Sequence, residues 1–294
     1  MRAVLELVPS VASITDVQSV GGGCISDARR VSAVDQDGQS RTLFVKSNHA
    51  SFLDNFQCEW EGLARLNYLV EQAALGLVSG PTGTGKSALL KRFLHDLSRQ
   101  QCESVYCHLT HLTSVGLLRL LVSQLGEVPR RGKERLFEQI LGRASRTECT
   151  LLVVIDEAHL LDGEALTDLR LLISSAVDVA PPLKILLVGQ DALRATLKQS
   201  QHRDLLNRIN VQYRIRPFTK EQTARYIDIQ MKQSGGPEDV FDVSVKELIH
   251  DFTGGVPRAI NNLATACLLQ AAAHNVLRID DTLFQQTSAE FQLA

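Results

Sequence analysis

Gly80-Pro-Thr-Gly83-Thr-Gly85-Lys86-Ser87 fits the spacing G-x-x-x-x-G-K-S/T. It lies between a short apolar run, Leu75–Ser79, and a helix-period segment, Ser87–Leu97, the context in which such a loop cradles phosphates. Glycines let backbone N–H groups close around an anion, and the start of the following helix adds its own amides. Lys86 would reach the outer phosphates, and the Ser87 hydroxyl would ligate Mg²⁺. Gly80, Pro81, Thr82, Gly83, Thr84, Gly85, Lys86, Ser87 and Ala88 are therefore candidate triphosphate-binding residues, with ATP and Mg²⁺ the implied ligands.

A second group supplies acid–base chemistry. Leu151-Leu-Val-Val-Ile155 carries the chain through a sheet, and Asp156-Glu157 emerges at its end. Asp156 would hold the Mg²⁺ shell through water, and Glu157 would polarise the attacking water. The competing reading is a carboxylate pair capping the next helix. Gln190, at the end of Lys184–Val188, could bond the water or the outer phosphate, or simply occupy a turn. Arg258, in Gly254-Gly-Val-Pro-Arg258, could fold back onto the outer phosphates or stand solvated in a first helical turn. Arg203 or Arg208 could reach a neighbouring subunit's site, or be an ordinary surface arginine.

The elements that must position these groups are legible in the patterning. Leu75–Ser79, Ser104–His108, Leu151–Ile155 and Lys184–Val188 read as buried parallel strands. Helical segments alternate with them over Ser87–Leu97, Val115–Leu125 and Glu134–Leu141. This predicts a doubly wound α/β core over residues 67–218, ending in Val211–Ile215. Glu221–Gln230, Val245–Phe252, Pro257–Ala273 and a helix opened by Asp280 predict a helical lid over 219–294. Residues 1–66 read as β-rich, with strands at Asp16–Val20, Arg30–Val34 and Thr42–Lys46, then a helix from Phe52 carrying Trp60 and Leu63.

The order of these elements resembles that of AAA+ ATPases. From Glu61 to Phe284 the chain is similar to the ExeA-type secretion ATPases and the related TniB/MuB transposition ATPases. The matching stretches are Gly62-Leu-Ala-Arg-Leu-Asn-Tyr68, Ile155-Asp-Glu-Ala-His-Leu160, Leu187-Val-Gly-Gln190, Asn207-Arg-Ile209, Pro217-Phe-Thr-Lys-Glu221 and Gly254-Gly-Val-Pro-Arg-Ala-Ile-Asn261. The resemblance implies a P-loop core with a helical lid, ATP hydrolysis, and a homo-oligomer formed on ATP binding. It gives Gln190 and Arg258 the two sensor roles and Arg208 the finger role. It also implies a protein partner from secretion or transposition machinery, or alternatively a nucleotide-gated, DNA-binding recruitment module with little turnover. One departure stands out. Secretion-type members begin with a short Phe/Pro-containing segment ahead of the first core helix, which is missing here.

In its place, Val17–Ser26, Leu43-Phe-Val-Lys46 and Phe56-Gln-Cys-Glu59 resemble the small lobe of fructosamine-kinase-like enzymes, where Lys46 and Glu59 would pair. An active kinase also needs a large lobe. His202-Arg-Asp204-Leu205 imitates its catalytic loop, but Ile209 stands where the asparagine belongs. The lobe is expected to be non-catalytic and the least ordered part, because it is too small to bury much surface alone.

Composition narrows the remaining choices. The 294 residues are 44% hydrophobic and 22% charged, which excludes disorder. A net charge of −2 leaves any nucleic-acid contact to a local patch. The candidate patch is Arg130, Arg131, Lys133 and Arg135 with Arg143 and Arg146, read either as a solvated loop or as a weak, salt-sensitive, sequence-independent DNA contact. Six cysteines without a C-x-x-C pair fit a reducing cytoplasm. No run is long enough to span a membrane. Cys102, Cys107, His108 and His111 mimic a metal cluster, but Cys107 and His108 fall on a strand and are expected to point to its opposite faces. Asp162 and Asp168 read as a helix cap and a surface charge.

Overall fold

The computed structural model describes residues 11–20, 27–35, 40–47, 53–98, 100–108, 112–175, 183–237 and 239–292, with side chains described between Trp60 and Phe291. The Lys46–Glu59 pairing, the expected lability of the N-terminal lobe and His111 lie outside this description. At the N-terminus, β1 (Val11–Val20), β2 (Asp27–Asp35) and β3 (Ser40–Ser47) form an antiparallel three-stranded sheet. Val20 pairs with Ala28, and Val34 with Ser40.

Helix α1 (Leu53–Gln72) leads into β4 (Leu75–Ser79), α2 (Lys86–Asp96), β5 (Cys102–His108), α3 (Ser114–Gln124), α4 (Lys133–Arg146), β6 (Thr150–Asp156), α5 (Gly163–Ser175), β7 (Leu183–Gly189), α6 (Asp191–Leu197), α7 (Arg203–Leu206) and β8 (Val211–Arg214). The strands form one parallel sheet in the order β5-β6-β7-β4-β8. Period-2 alternation splits its side chains between two cores. Leu77, Val153, Ile155, Ile185 and Leu187 pack under α3, α4 and α5, with Leu117, Leu121, Leu136, Ile140 and Leu169. Val78, Leu152, Val154, Leu186 and Val188 pack under α1 and α2, with Leu66, Leu69, Leu90 and Phe93. A sheet covered on both faces explains why its strands read as continuous apolar runs. The break in β7's run, Lys184, is buried as well; its ammonium donates to the Ala73 carbonyl at 2.8 Å.

After β8 the chain turns helical. Thr219 and Gln222 form a reciprocal capping box that opens α8 (Lys220–Gln233). Helices α9 (Val243–Thr253), α10 (Pro257–Ala273) and α11 (Asp281–Gln292) follow. Ile227, Val245, Ile249, Ile260, Leu263, Cys267 and Phe284 give this lid a core of its own.

One of two expected acidic side chains differs from expectation. Asp162 does cap a helix, accepting from Ala165 N at 2.7 Å. Asp168, however, is 2% exposed rather than a surface charge. It pairs with Lys133 at 2.8 Å and accepts from the Ser114 hydroxyl, tying together α3, α4 and α5. Helical spacing placed it on a face, but which face α3 and α4 would cover was not readable from α5 alone.

Candidate functional site

The loop after β4 and the carboxylates after β6 both emerge at the C-terminal edge of the sheet. They do not emerge from neighbouring strands, because β7 lies between β4 and β6. Gln190, which follows β7 and begins α6, therefore stands between the phosphate loop and the acidic pair. The three groups that the sequence proposes for one site are brought together by strand order.

In the loop, Gly83 and Gly85 have φ of +82° and +101°. Gly85 caps α2 without any side-chain bond to its first amides, and a Cβ at Gly85 would meet nothing within 4 Å. The loop thus leaves the first amides of α2 without a side-chain cap and leaves open space at a helix start, the features that attract an anion. Thr84 Oγ1 donates to the Pro81 carbonyl at 2.8 Å, bracing the turn. Lys86 is buried, and its ammonium donates to the carbonyls of Gly80 at 2.9 Å and Pro81 at 2.8 Å. One of its three protons is left for a ligand. Burial lowers the Lys86 pKa, against the attraction of Glu157, Asp156 and Asp191, while Arg258 pushes in the same direction as burial. These couplings put the acidic pair, Asp191 and the lid arginine within electrostatic reach of one ammonium.

Asp156 is 1% exposed. Its Oδ1 accepts from Glu157 N at 2.9 Å and its Oδ2 from the Tyr106 hydroxyl at 2.6 Å. Burial and then the Asp156 bond raise the Tyr106 pKa, so the phenol stays a donor. Glu157, just past the end of β6, has φ of 55°, in the left-handed region. Its Oε2 lies 3.2 Å from His159 Nδ1. The exposed Ser87 hydroxyl has no bond among the described residues. A hydroxyl and a carboxylate are hard oxygen donors that suit Mg²⁺, and a bonded Asp156 fits contact through the metal's water shell.

The lid closes one side. Arg258 N donates to the Gly83 carbonyl at 3.3 Å, and a Cβ at Gly83 would come within 2.9 Å of Arg258 Cβ. The N-terminus of α10 thus rests on the phosphate loop. Arg208 lies elsewhere. It lines a cavity of about 540 Å³ with Ala73, Ala74, Leu183 and Lys184, at the N-terminal edge of the sheet. Sequence reasoning missed Tyr106, His159 and Asp191. Asp191 is held by Arg214 at 2.8 Å, and its position directly after Gln190 was the one signal that could have found it.

The basic cluster is half neutralised within the fold. Lys133 pairs with Glu164 and Asp168, Arg143 with Glu103 at 2.7 Å, and Arg146 with Glu127 at 2.6 Å. Cys102 and Cys107 belong to opposite cores, while His108 is exposed. Burial pushes both thiols up to about 11. No helix among the described residues is long and apolar enough to cross a membrane.

Comparison with known proteins agrees with this geometry. Residues 70–197 match the sequence model of a family described as AAA domain, and residues 2–93 one described as Fructosamine kinase. Over 256 residues the chain is 28% identical to general secretion pathway protein A of Aeromonas hydrophila, covering 84% of this chain and 46% of that protein. The chain thus spans about half the length of this curated relative. Among solved structures, it is similar to the Aeropyrum pernix ORC2 protein in ADPNP-ADP complexes (19% identity, TM-score 0.56, 80% of this chain and 67% of that one). It is also similar to Cdc6p from Pyrobaculum aerophilum (19%, 0.59, 79% and 66%). A third likeness is to the RuvB Holliday junction branch migration motor of Thermotoga maritima (17%, 0.51, 80% and 70%). The fold is that of AAA+ P-loop ATPases, a parallel five-stranded core with a C-terminal helical lid.

Proposed function

We propose that this chain, with its AAA+ P-loop core, binds and hydrolyses Mg-ATP and uses the cycle to change shape and assemble with a protein partner. The observation that carries the reading is the Lys86 ammonium. It is buried and fixed in the loop by two carbonyls, and the lid's Arg258 bonds the same loop through its backbone amide. Backbone amides of residues 83–87 and Lys86 hold the phosphates. Ser87 and Asp156 hold the Mg²⁺, which when bound neutralises charge on the phosphate oxygens. Glu157 orients the attacking water and takes up its proton. Gln190, between the two halves, bonds the water or the outer phosphate. Arg258 passes the presence of that phosphate to α10, so the lid rotates against the core between nucleotide states.

The likeness to general secretion pathway protein A supports a secretion-type partner, and ATP-dependent self-assembly is part of the same reading. The half-neutralised basic cluster gives DNA no additional support, so no DNA contact is proposed. The test measures binding of a fluorescent ATP analogue and release of ADP separately. Lys86→Ala is expected to lose binding, and Glu157→Gln to bind with wild-type affinity while turnover falls at least ~100-fold. Retained turnover in Glu157→Gln would refute the assignment. ATP-dependent assembly of the wild type without ADP release would select the non-hydrolysing recruitment module instead.

A further inference from the structure

The proposed chemistry leaves one half-buried side chain beside Glu157 without a role. His159 sits in the single 3₁₀ turn Ala158–Leu160 that follows β6. That turn is pressed against the end of β7. A Cβ at Gly189 would lie 3.1 Å from His159 N and 3.5 Å from Ala158 N, so packing fixes the backbone that carries the imidazole. The side chain is 15% exposed. Its Nδ1 is fully buried and makes no aligned hydrogen bond among the described residues, yet it stands 3.2 Å from Glu157 Oε2. A buried ring nitrogen is costly to leave unpaired, and here it faces a carboxylate oxygen at bonding distance but out of line. The carboxylate itself hangs from a backbone at φ 55°, which a non-glycine residue adopts only against steric resistance. Two unfavourable local features converge on one pair of atoms.

We propose that His159 is a positioning residue for Glu157. In the neutral tautomer that carries its proton on Nδ1, the imidazole comes into line with Oε2 and holds the carboxylate in the rotamer that orients water. A carboxylate only accepts, so the contact requires that proton on Nδ1. The partner thereby sets the tautomer. The inference rests on the role proposed for Glu157, and concerns what fixes that residue rather than whether it acts.

Two measurements test it. The first is the nitrogen-15 imidazole spectrum of the nucleotide-free protein, with the His159 signal identified by its loss in His159→Asn. We expect the Nδ1–H tautomer in the wild type and a change to predominantly Nε2–H in Glu157→Ala. An Nε2–H wild type, or a tautomer indifferent to Glu157→Ala, overturns the proposal. The second is steady-state ATP turnover. His159→Ala is expected to lower kcat by roughly 10- to 50-fold, with KM and nucleotide affinity within about twofold. His159→Asn, whose amide can donate from near the Nδ1 position, should recover most of that loss. Equal loss in both variants, or loss of affinity in parallel with kcat, would mean a packing role and overturn the proposal. The two readings fail separately. Turnover retained in Glu157→Gln removes the role of Glu157 itself. A dead Glu157→Gln beside a fully active His159→Ala removes only the role of His159.

Discussion

Each oxygen of Asp156 is committed before any ligand arrives, one to the next backbone amide and one to Tyr106. The phenol lies on β5 in register with Val154, so a residue 50 positions upstream sets the direction of the carboxylate proposed to hold Mg²⁺. That role was invisible in the sequence, where Asp-Glu after five apolar residues names the carboxylates but not what holds them. Register between two strands is a property of the folded sheet. Tyr106→Phe removes the donor and keeps the ring. Its expected effect is an increase of about 3- to 10-fold in the Mg²⁺ concentration needed for half-maximal nucleotide affinity, with binding in excess chelator unchanged. A titration of ADP affinity against Mg²⁺ reads this directly. Lys86 gives a second prediction at this scale. Burial lowers its pKa below the ordinary 10.5, and the protonated form is the one that binds phosphate. ATP affinity should therefore fall with rising pH from below 10.5 onward, and Lys86→Arg should shift that decline to higher pH.

At the scale of elements, the alternation of strands and helices was legible because a doubly covered parallel sheet leaves continuous apolar runs at each strand. The same patterning gave α10 from Pro257 to Ala273 without error. Strand order was not legible, since nothing in one sequence says that β7 inserts between β4 and β6. The position of Gln190 between the two halves of the site follows from that insertion. The junction of lid and core is equally a matter of contacts far apart in sequence. Phe218 N donates to the Gly255 carbonyl at 2.8 Å. Gly255 has φ of +73°, and a Cβ there would lie 2.1 Å from Phe218 O. Gly255→Ala must open this junction, and we expect a loss of about 2–4 kcal/mol in lid stability. Gly254→Ala is the control. Its φ is +59° with nothing within 4 Å of the added carbon, so about 1 kcal/mol of backbone strain is expected. Chemical denaturation followed in the lid separates the two. Equal destabilisation would mean that the clash is absorbed elsewhere.

For the molecule as a whole, the placement of Arg208 decides how many chains one site needs. The phosphate loop and the acidic pair share the C-terminal edge of the sheet, while Arg208 lines a cavity beside Ala74 and Leu183, which precede and begin strands of that sheet. A strand of five to seven residues separates the two edges, and each residue of strand spans about 3.3 Å. An arginine side chain cannot bridge that distance through a packed core, so Arg208 does not complete the site of its own chain. If it neutralises charge in turnover, it does so in a neighbour, which is why the proposed activity includes assembly. Mixing distinguishes this arrangement from an ordinary surface arginine. Arg208→Ala and Lys86→Ala are each expected to lose most turnover as homogeneous samples. In a mixture, a Lys86→Ala chain supplies an intact Arg208 to the competent loop of an Arg208→Ala neighbour. Turnover should then rise above the sum of the separate samples, with the rise following protein concentration as assemblies form. The double variant Lys86→Ala/Arg208→Ala, mixed with the Arg208→Ala chain, provides no such arginine and should give no rise. Full activity of Arg208→Ala alone, or a mixture no better than its parts, would remove Arg208 from the site and leave the subunit boundary to another residue.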